Sequence, residues 1–199
     1  MEKKIVVAFD FDGIITTKDT LLEFIRFSKG AMAFFWGFLI HTPYLILFKL
    51  GLYQNWKIKQ RLFGYFFKGM DYKDFVKVGQ DFEPILEKMI RPKALKAIRS
   101  YSEKGIPVYI ISASVSEWIS PWAIKEGVNH FIGTKVEISS NGKLTGNFLS
   151  RNCYGEEKVR RLLELEPNRN SYILYAYGDS KGDKELIEFA DKGWYNKFK

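Results

Sequence analysis

The apolar positions of the chain fall into two kinds of run. Short β-rich blocks at Lys4–Phe9, 108–111 and 172–177 are apolar without strict alternation. That pattern predicts parallel strands buried on both faces. The first block stops at Asp10 and Asp12, the second at Ser112 and the third at Gly178-Asp179. From Asp19 to about Lys88 the pattern is helical, and Pro43 and Gly51 predict that it breaks into several helices. A helix over 93–104 should stop at Gly105, and another over 115–126 carries Pro121 in its middle. Residues 131–138, Asn141-Gly142 and 143–148 predict a strand, a tight turn and a returning strand. A charged helix over 155–166 precedes the third block, and a last helix and a short strand around Trp194 complete the pattern.

Strands alternating with helices predict an α/β fold with a parallel sheet built of βαβ units. The helical stretch interrupts this alternation after the first strand. The expected organisation is therefore an α/β core of residues 1–18 and 90–199 carrying an inserted all-helical cap, 19–89. The chain has 199 residues, 46% of them apolar and 27% charged, enough for one filled core with an insertion. The lone cysteine, Cys153, excludes an internal disulfide and suits a reducing compartment. Lys3 and Lys4 lead into a short apolar run without a signal-peptide pattern, so the chain reads as cytoplasmic. A net charge of +8 suits anionic partners but does not choose among nucleic acid, membrane and small phosphates.

Ligands of open parallel sheets bind beyond the carboxyl ends of the strands. Three separate segments would bring Asp10, Asp12, Ser112 and Asp179 to one such rim, and Lys158 reaches it from the start of its helix. Asp10 and Asp12 lie two residues apart and repel, so both stay ionised only beside positive charge. Asp10, Asp179 and a loop carbonyl form an all-oxygen set that suits Mg²⁺ better than zinc. A phosphoryl group lying between that metal, Lys158 and Ser112 would have its charge neutralised during transfer to a carboxylate. Alone, each residue has a commonplace role as turn, cap or solvated face. Their order along the chain points to the chemistry.

Phe9-Asp10-Phe11-Asp12-Gly13 resembles the DxDG motif of haloacid dehalogenase-like (HAD) phosphatases. Ile110-Ile111-Ser112 looks like their second motif, Gly155-Glu156-Glu157-Lys158 like the third, and Gly178-Asp179-Ser180-Lys181-Gly182-Asp183 like the fourth. The four motifs span the chain in order, and the insertion between the first and second is similar to the cap of the phosphoserine-phosphatase-like branch. The resemblance implies a Rossmann-like core and a Mg²⁺-dependent phosphomonoesterase working through an aspartyl-phosphate. Asp10 would be nucleophile and metal ligand. Asp12 would be the acid and base, with its carbonyl on the metal. Ser112, Ala113, Phe11 and Lys158 would hold the phosphoryl group, Asp179 would ligate the metal, and Asp183 would orient waters behind it. Ile14 stands where many members have threonine.

Residues 31–48, AMAFFWGFLIHTPYLILF, are apolar almost all round, and Lys49, Lys57, Lys59, Arg61 and Lys68 follow without an acidic residue between Lys49 and Lys68. Two readings stay open: a buried helical hairpin in the cap, or an anchor on an anionic membrane surface. Some bacterial members of the same branch carry a similar apolar cap and act on phospholipid phosphates such as phosphatidylglycerophosphate. The resemblance therefore also allows a lipid-linked or amphipathic substrate met at the inner membrane face. The alternative is a soluble metabolite such as phosphoserine, with Asp19 and Arg26 or Arg61 binding its amino and carboxylate groups. A non-enzymatic nucleic-acid-binding module is disfavoured, since the aromatics sit in apolar runs and no RNA-binding signature is present.

Overall fold

The computed structural model describes residues 3–128, 130–150 and 152–199. Its centre is a sheet of five parallel strands in the order β3-β2-β1-β6-β7. These are β1 (Lys4–Phe9), β2 (Val108–Val115), β3 (His130–Thr134), β6 (Tyr172–Gly178) and β7 (Lys192–Tyr195). Both faces are covered, which explains why the apolar runs do not alternate. Val7 and Phe9 of β1 face one cluster, with Phe24, Ile98 and Trp118. Val6 and Ala8 face the other, with Leu162 and Leu186. On that second side lie α7 (Glu156–Leu165) and α8 (Lys184–Phe189). The first side carries α5 (Pro92–Glu103), α6 (Ser116–Lys125) and the inserted helices.

The insertion comprises α1 (Thr20–Lys49), α2 (Asn55–Phe67), α3 (Tyr72–Asp81) and α4 (Glu83–Glu87). Gly51 lies in the turn between α1 and α2, as predicted, but Pro43 lies inside α1 and does not end it. The break falls instead at Gly30, whose φ of 81° and ψ of 164° split α1 into two helical stretches. The first stretch buries Leu21, Phe24 and Ile25, and Phe24 stacks on Trp118 with ring centroids 4.5 Å apart. In the second, only Gly37 and His41 are buried. Met32, Phe35, Trp36, Leu39 and Ile40 are exposed, so 31–48 is not the buried hairpin that one reading expected.

Helix α6 runs through Pro121 without a break. Pro121 has no N–H to offer the carbonyl of Glu117 one turn earlier. Gly79 of α3 sits against that carbonyl, so close that a Cβ there would lie 2.5 Å from its oxygen.

The expected strand over 131–138 is two strands. β3 joins the main sheet, and β4 (Val136–Ile138) turns away at Lys135 to pair antiparallel with β5 (Leu144–Phe148). This hairpin packs on the inserted helices. Gly69 N–H donates to the Leu144 carbonyl at 2.8 Å, and Leu144 N–H to the Met70 carbonyl at 2.9 Å.

Candidate active site

Strand β1 leads by way of α5 to β2 on one side, and β6 leads to β7 on the other. The crevice between the ends of β1 and β6 is thus the place where chain direction diverges, the usual binding position of such sheets. Asp10 follows β1 there and Asp179 follows β6. The Asp10 N–H still donates to the Tyr177 carbonyl at 2.8 Å, which ties the two strand ends together. A cavity of about 450 Å³ opens at this point, and Asp10, Asp12, Ser112, Ala113, Lys158 and Asp179 all line it.

Lys158, in the first turn of α7, is buried and donates to Asp10 Oδ1 at 2.6 Å and to Asp183 Oδ1 at 2.5 Å. Burial alone would lower its pKa, but the carboxylates of Asp10 and Asp183 outweigh this and hold it above the usual lysine range. Asp183 is fully buried. Burial would raise its pKa, yet Lys158 holds it below the ordinary carboxylate value. Its second oxygen accepts from the N–H groups of Asp179 and Ser180 and from the Ser180 hydroxyl. Asp183 thus anchors Lys158 and shapes the loop that presents Asp179. Burial pushes the Asp10 carboxyl up to about 7, against the pull of Lys158.

One oxygen each from Asp10, Asp179 and Asp183 lies within 4.8 Å of the others, a set that could hold a metal ion. Among the described residues, only Lys158 and Lys199 balance these carboxylates through ion pairs, Lys199 lying 3.1 Å from Asp179. Oxygen donors with excess negative charge fit a hard divalent cation. Gly13 makes room for the set: its φ is +80°, and a Cβ there would lie 2.0 Å from Asp179 Oδ2.

The Asp12 carboxylate is engaged differently. Its Oδ1 accepts from Thr20 N–H at 2.8 Å and its Oδ2 from the Ser114 hydroxyl. An indole can only donate, so Trp118 Nε1–H at 3.2 Å makes Thr20 Oγ1 an acceptor. The Thr20 hydroxyl then gives its own hydrogen to Ser114 Oγ, 3.0 Å away. The result is a one-way chain from Trp118 through Thr20 and Ser114 to Asp12. Burial, with Asp19 adding to it, raises the Asp12 pKa, while Lys59, Ser114 and Thr20 oppose the rise.

The predicted residues do not all lie as expected. Ser112 sits inside β2 rather than after its end; its Oγ accepts from Ser114 N–H at 3.1 Å and borders the cavity. Phe11 does not line the cavity. Its ring packs edge-on against Trp122 in the core, so only its backbone belongs to the loop. Asp19 reaches the cavity but also caps α1 by accepting from Leu22 N–H. Neither arginine proposed as its companion lines the cavity; Arg61 stacks on Tyr44 and donates to its hydroxyl at 2.9 Å. The lining cations from outside the motifs are Lys18, Lys59, Arg91 and Lys199. None carries a sequence signal that separates it from a solvated lysine or arginine.

Residues 7–188 match the haloacid dehalogenase-like hydrolase family. The chain belongs to this family. Protein CicA of Caulobacter vibrioides is 32% identical over 196 residues, which are 98% of this chain and 87% of that one. A phosphoserine phosphatase of Archaeoglobus fulgidus is 29% identical over 102 residues, 50% of this chain and 29% of that protein. A solved phospho-aspartyl intermediate analogue of phosphoserine phosphatase superposes with a TM-score of 0.61 at 18% identity, covering 95% of this chain and 84% of that one. At that identity the superposition speaks for the fold. Within the family, this HAD chain is an enzyme of the phosphatase type.

Proposed function

We propose that the chain is a Mg²⁺-dependent phosphomonoester hydrolase that works through an aspartyl-phosphate on Asp10. The observation that carries this reading is the pairing of two differently held carboxylates. Asp10 lies on Lys158 beside Asp179, and Asp12 is gripped at both oxygens by Thr20 and Ser114. Asp10 attacks phosphorus, and the bond to the leaving oxygen breaks as Asp12 supplies that oxygen with a proton. Asp12 then takes a proton from the water that cleaves the Asp10–phosphorus bond, releasing phosphate. The raised pKa of Asp12 suits a group that must carry a proton and later remove one. Ser112, the loop backbone at Phe11 and Ala113, and Lys158 hold the phosphoryl oxygens. The Asp10 and Asp179 carboxylates and the Asp12 carbonyl would hold Mg²⁺, with Asp183 behind them; when bound, the ion neutralises charge on the phosphoryl group.

Residues 19–89 act as the specificity cap over the core of 1–18 and 90–199; Asp19, Asn55 and Lys59 bring this segment to the cavity wall. A lipid-linked or amphipathic phosphate at the inner face of the membrane is the favoured substrate, because α1 leaves an aromatic apolar face exposed. By length and composition α1 could cross a membrane, but its kink at Gly30 and the lysines after it favour lying on an anionic surface. For a soluble phosphoserine-like substrate, Asp19 and Lys59 are the groups that would meet its charges.

Phosphate release from an aryl phosphate, with and without Mg²⁺, tests the chemistry. Activity is expected to need the ion and to vanish in Asp10→Asn; full activity in that variant would overturn the proposal.

A further inference from the structure

A second and larger space adjoins the catalytic cavity. Its volume is about 1140 Å³ against about 450 Å³, and Asn55 and Tyr154 line both. The smaller cavity has room for a phosphate group and a metal ion, and pockets for organic ligands of moderate size run to roughly 300–1,000 Å³, so the adjoining space is large enough for a further organic portion. Beyond the two shared residues, Trp56 on α2 and Phe148 and Leu149 at the end of β5 give the wall apolar surface, beside the polar Gln54, Gln60, Glu156, Glu157 and Arg160. Asn55 Oδ1 and Asn152 Oδ1 are buried and accept no hydrogen bond from any described residue. A buried acceptor without a donor costs about 1–3 kcal/mol, so a ligand that supplies the donor is favoured there.

We infer that this groove binds the leaving group of the substrate, and that the leaving group is amphipathic. Next to the phosphate it carries hydroxyl or N–H donors, which meet Asn55 and Asn152. Further out it carries an apolar chain, which lies along Trp56, Phe148 and Leu149. The inference rests on the phosphatase reading above and adds to it the residues that choose the substrate. A small polar ester such as phosphoserine would fit within the first cavity and leave the groove unused.

The test is the series of n-alkyl phosphates from ethyl to octyl, kept below their aggregation concentrations, with the full chain and Mg²⁺. kcat/KM is expected to rise by about threefold for each methylene that enters the groove, mainly through KM. Leu149 and Trp56 are 68% and 43% exposed, so both tolerate substitution without disturbing the core. Leu149→Glu and Trp56→Ala are expected to lower the octyl-to-ethyl ratio by about tenfold or more. Reading the ratio cancels any general effect on the site. Ile124→Glu, at an exposed apolar position on α6 outside the groove, should keep the wild-type ratio. Adding a hydroxyl to the second carbon of octyl phosphate should improve KM in the wild type but not in Asn152→Ala.

A flat series together with Asp10-dependent turnover of ethyl phosphate would overturn the groove and leave the proposed function standing. A rise with chain length that survives both groove substitutions would also overturn it, placing the chain elsewhere, such as on the exposed face of α1. If no ester is turned over, calorimetric binding of octyl and ethyl phosphonates decides. Tighter octyl binding that Leu149→Glu removes would support the groove while the phosphatase reading fails. Equal binding of the two phosphonates would overturn the groove.

Discussion

At the residue scale, the proposed chemistry depends on how burial and hydrogen bonding set the state of two aspartates. The Asp10 pKa moves from 3.8 to about 7, chiefly through burial. A raised carboxyl pKa means that, between those values, the folded chain holds a proton the unfolded chain has released. The stability this contributes is fully present below pH 3.8 and is lost as pH rises through about 7. A divalent cation at Asp10 would displace that proton. Titrating Mg²⁺ into the protein just below pH 7, in buffers of different ionisation enthalpy, should therefore show proton release that is absent in Asp10→Asn. At Asp12, the Ser114 hydroxyl bond lowers the pKa, so its loss should raise it further. Ser114→Ala is expected to lower kcat by roughly tenfold, the order expected for a lost hydrogen bond to a charged group. It should also shift the acidic limb of the pH–rate profile to higher pH. Ser114→Thr, which keeps the hydroxyl, should restore both. An unshifted profile would mean that Ser114 acts only in packing.

At the scale of elements, the inserted helices and the core meet through close backbone approach as well as through aromatic packing. Gly79 of α3 leaves no room for a Cβ against the Glu117 carbonyl, the group that Pro121 leaves without its helical partner. Gly79→Ala is expected to cost about 1–3 kcal/mol, the range for overpacking, in urea unfolding. The cost should appear as a lower midpoint with an unchanged slope. Trp118 belongs to the same contact: its ring stacks on Phe24 of α1, and its N–H starts the chain that ends on Asp12. Packing of the inserted helices is in this way coupled to the state of a carboxylate in the site. An alanine at Gly79 that separates α3 from α6 should therefore lower activity as well as stability.

At the scale of the whole molecule, apolar surface is distributed unevenly. Met32, Phe35, Trp36, Leu39 and Ile40 are exposed on one helix, and Leu50, Leu52 and Trp56 continue the surface toward the groove. Single exposed apolar residues are ordinary; a run of this kind beside lysines is not. On vesicles containing anionic lipid the wild type is expected to co-sediment, less so at high salt, and Phe35→Asp/Trp36→Asp to remain in the supernatant. Equal recovery of both proteins in the supernatant would remove the membrane from the proposal and leave the active-site chemistry untouched.

The sequence by itself determined which buried strands the chain forms and which polar residues stand at or near their ends. Unbroken apolar runs report strands covered on both faces, and the polar residues that end them have to gather at one sheet edge. Asp10, Asp12, Ser112 and Asp179 were legible in this way, Lys158 from its place at the start of a helix and Asp183 through the resemblance of its motif, because motif spacing is a local property. The tertiary structure alone decided what each of them touches. Ser114 meets Asp12 across 102 positions, and Lys158 meets Asp10 across 148. Neither Ser114 nor Thr20 differs in sequence from an ordinary strand or cap residue. Periodicity also could not tell a buried apolar helix from an exposed one, since α1 is apolar on nearly every side. Only the position of α2, which covers Gly37 and His41, left the rest of that surface open. The division of 131–138 into β3 and β4, and with it one wall of the groove, likewise came from packing against α2 rather than from local preference.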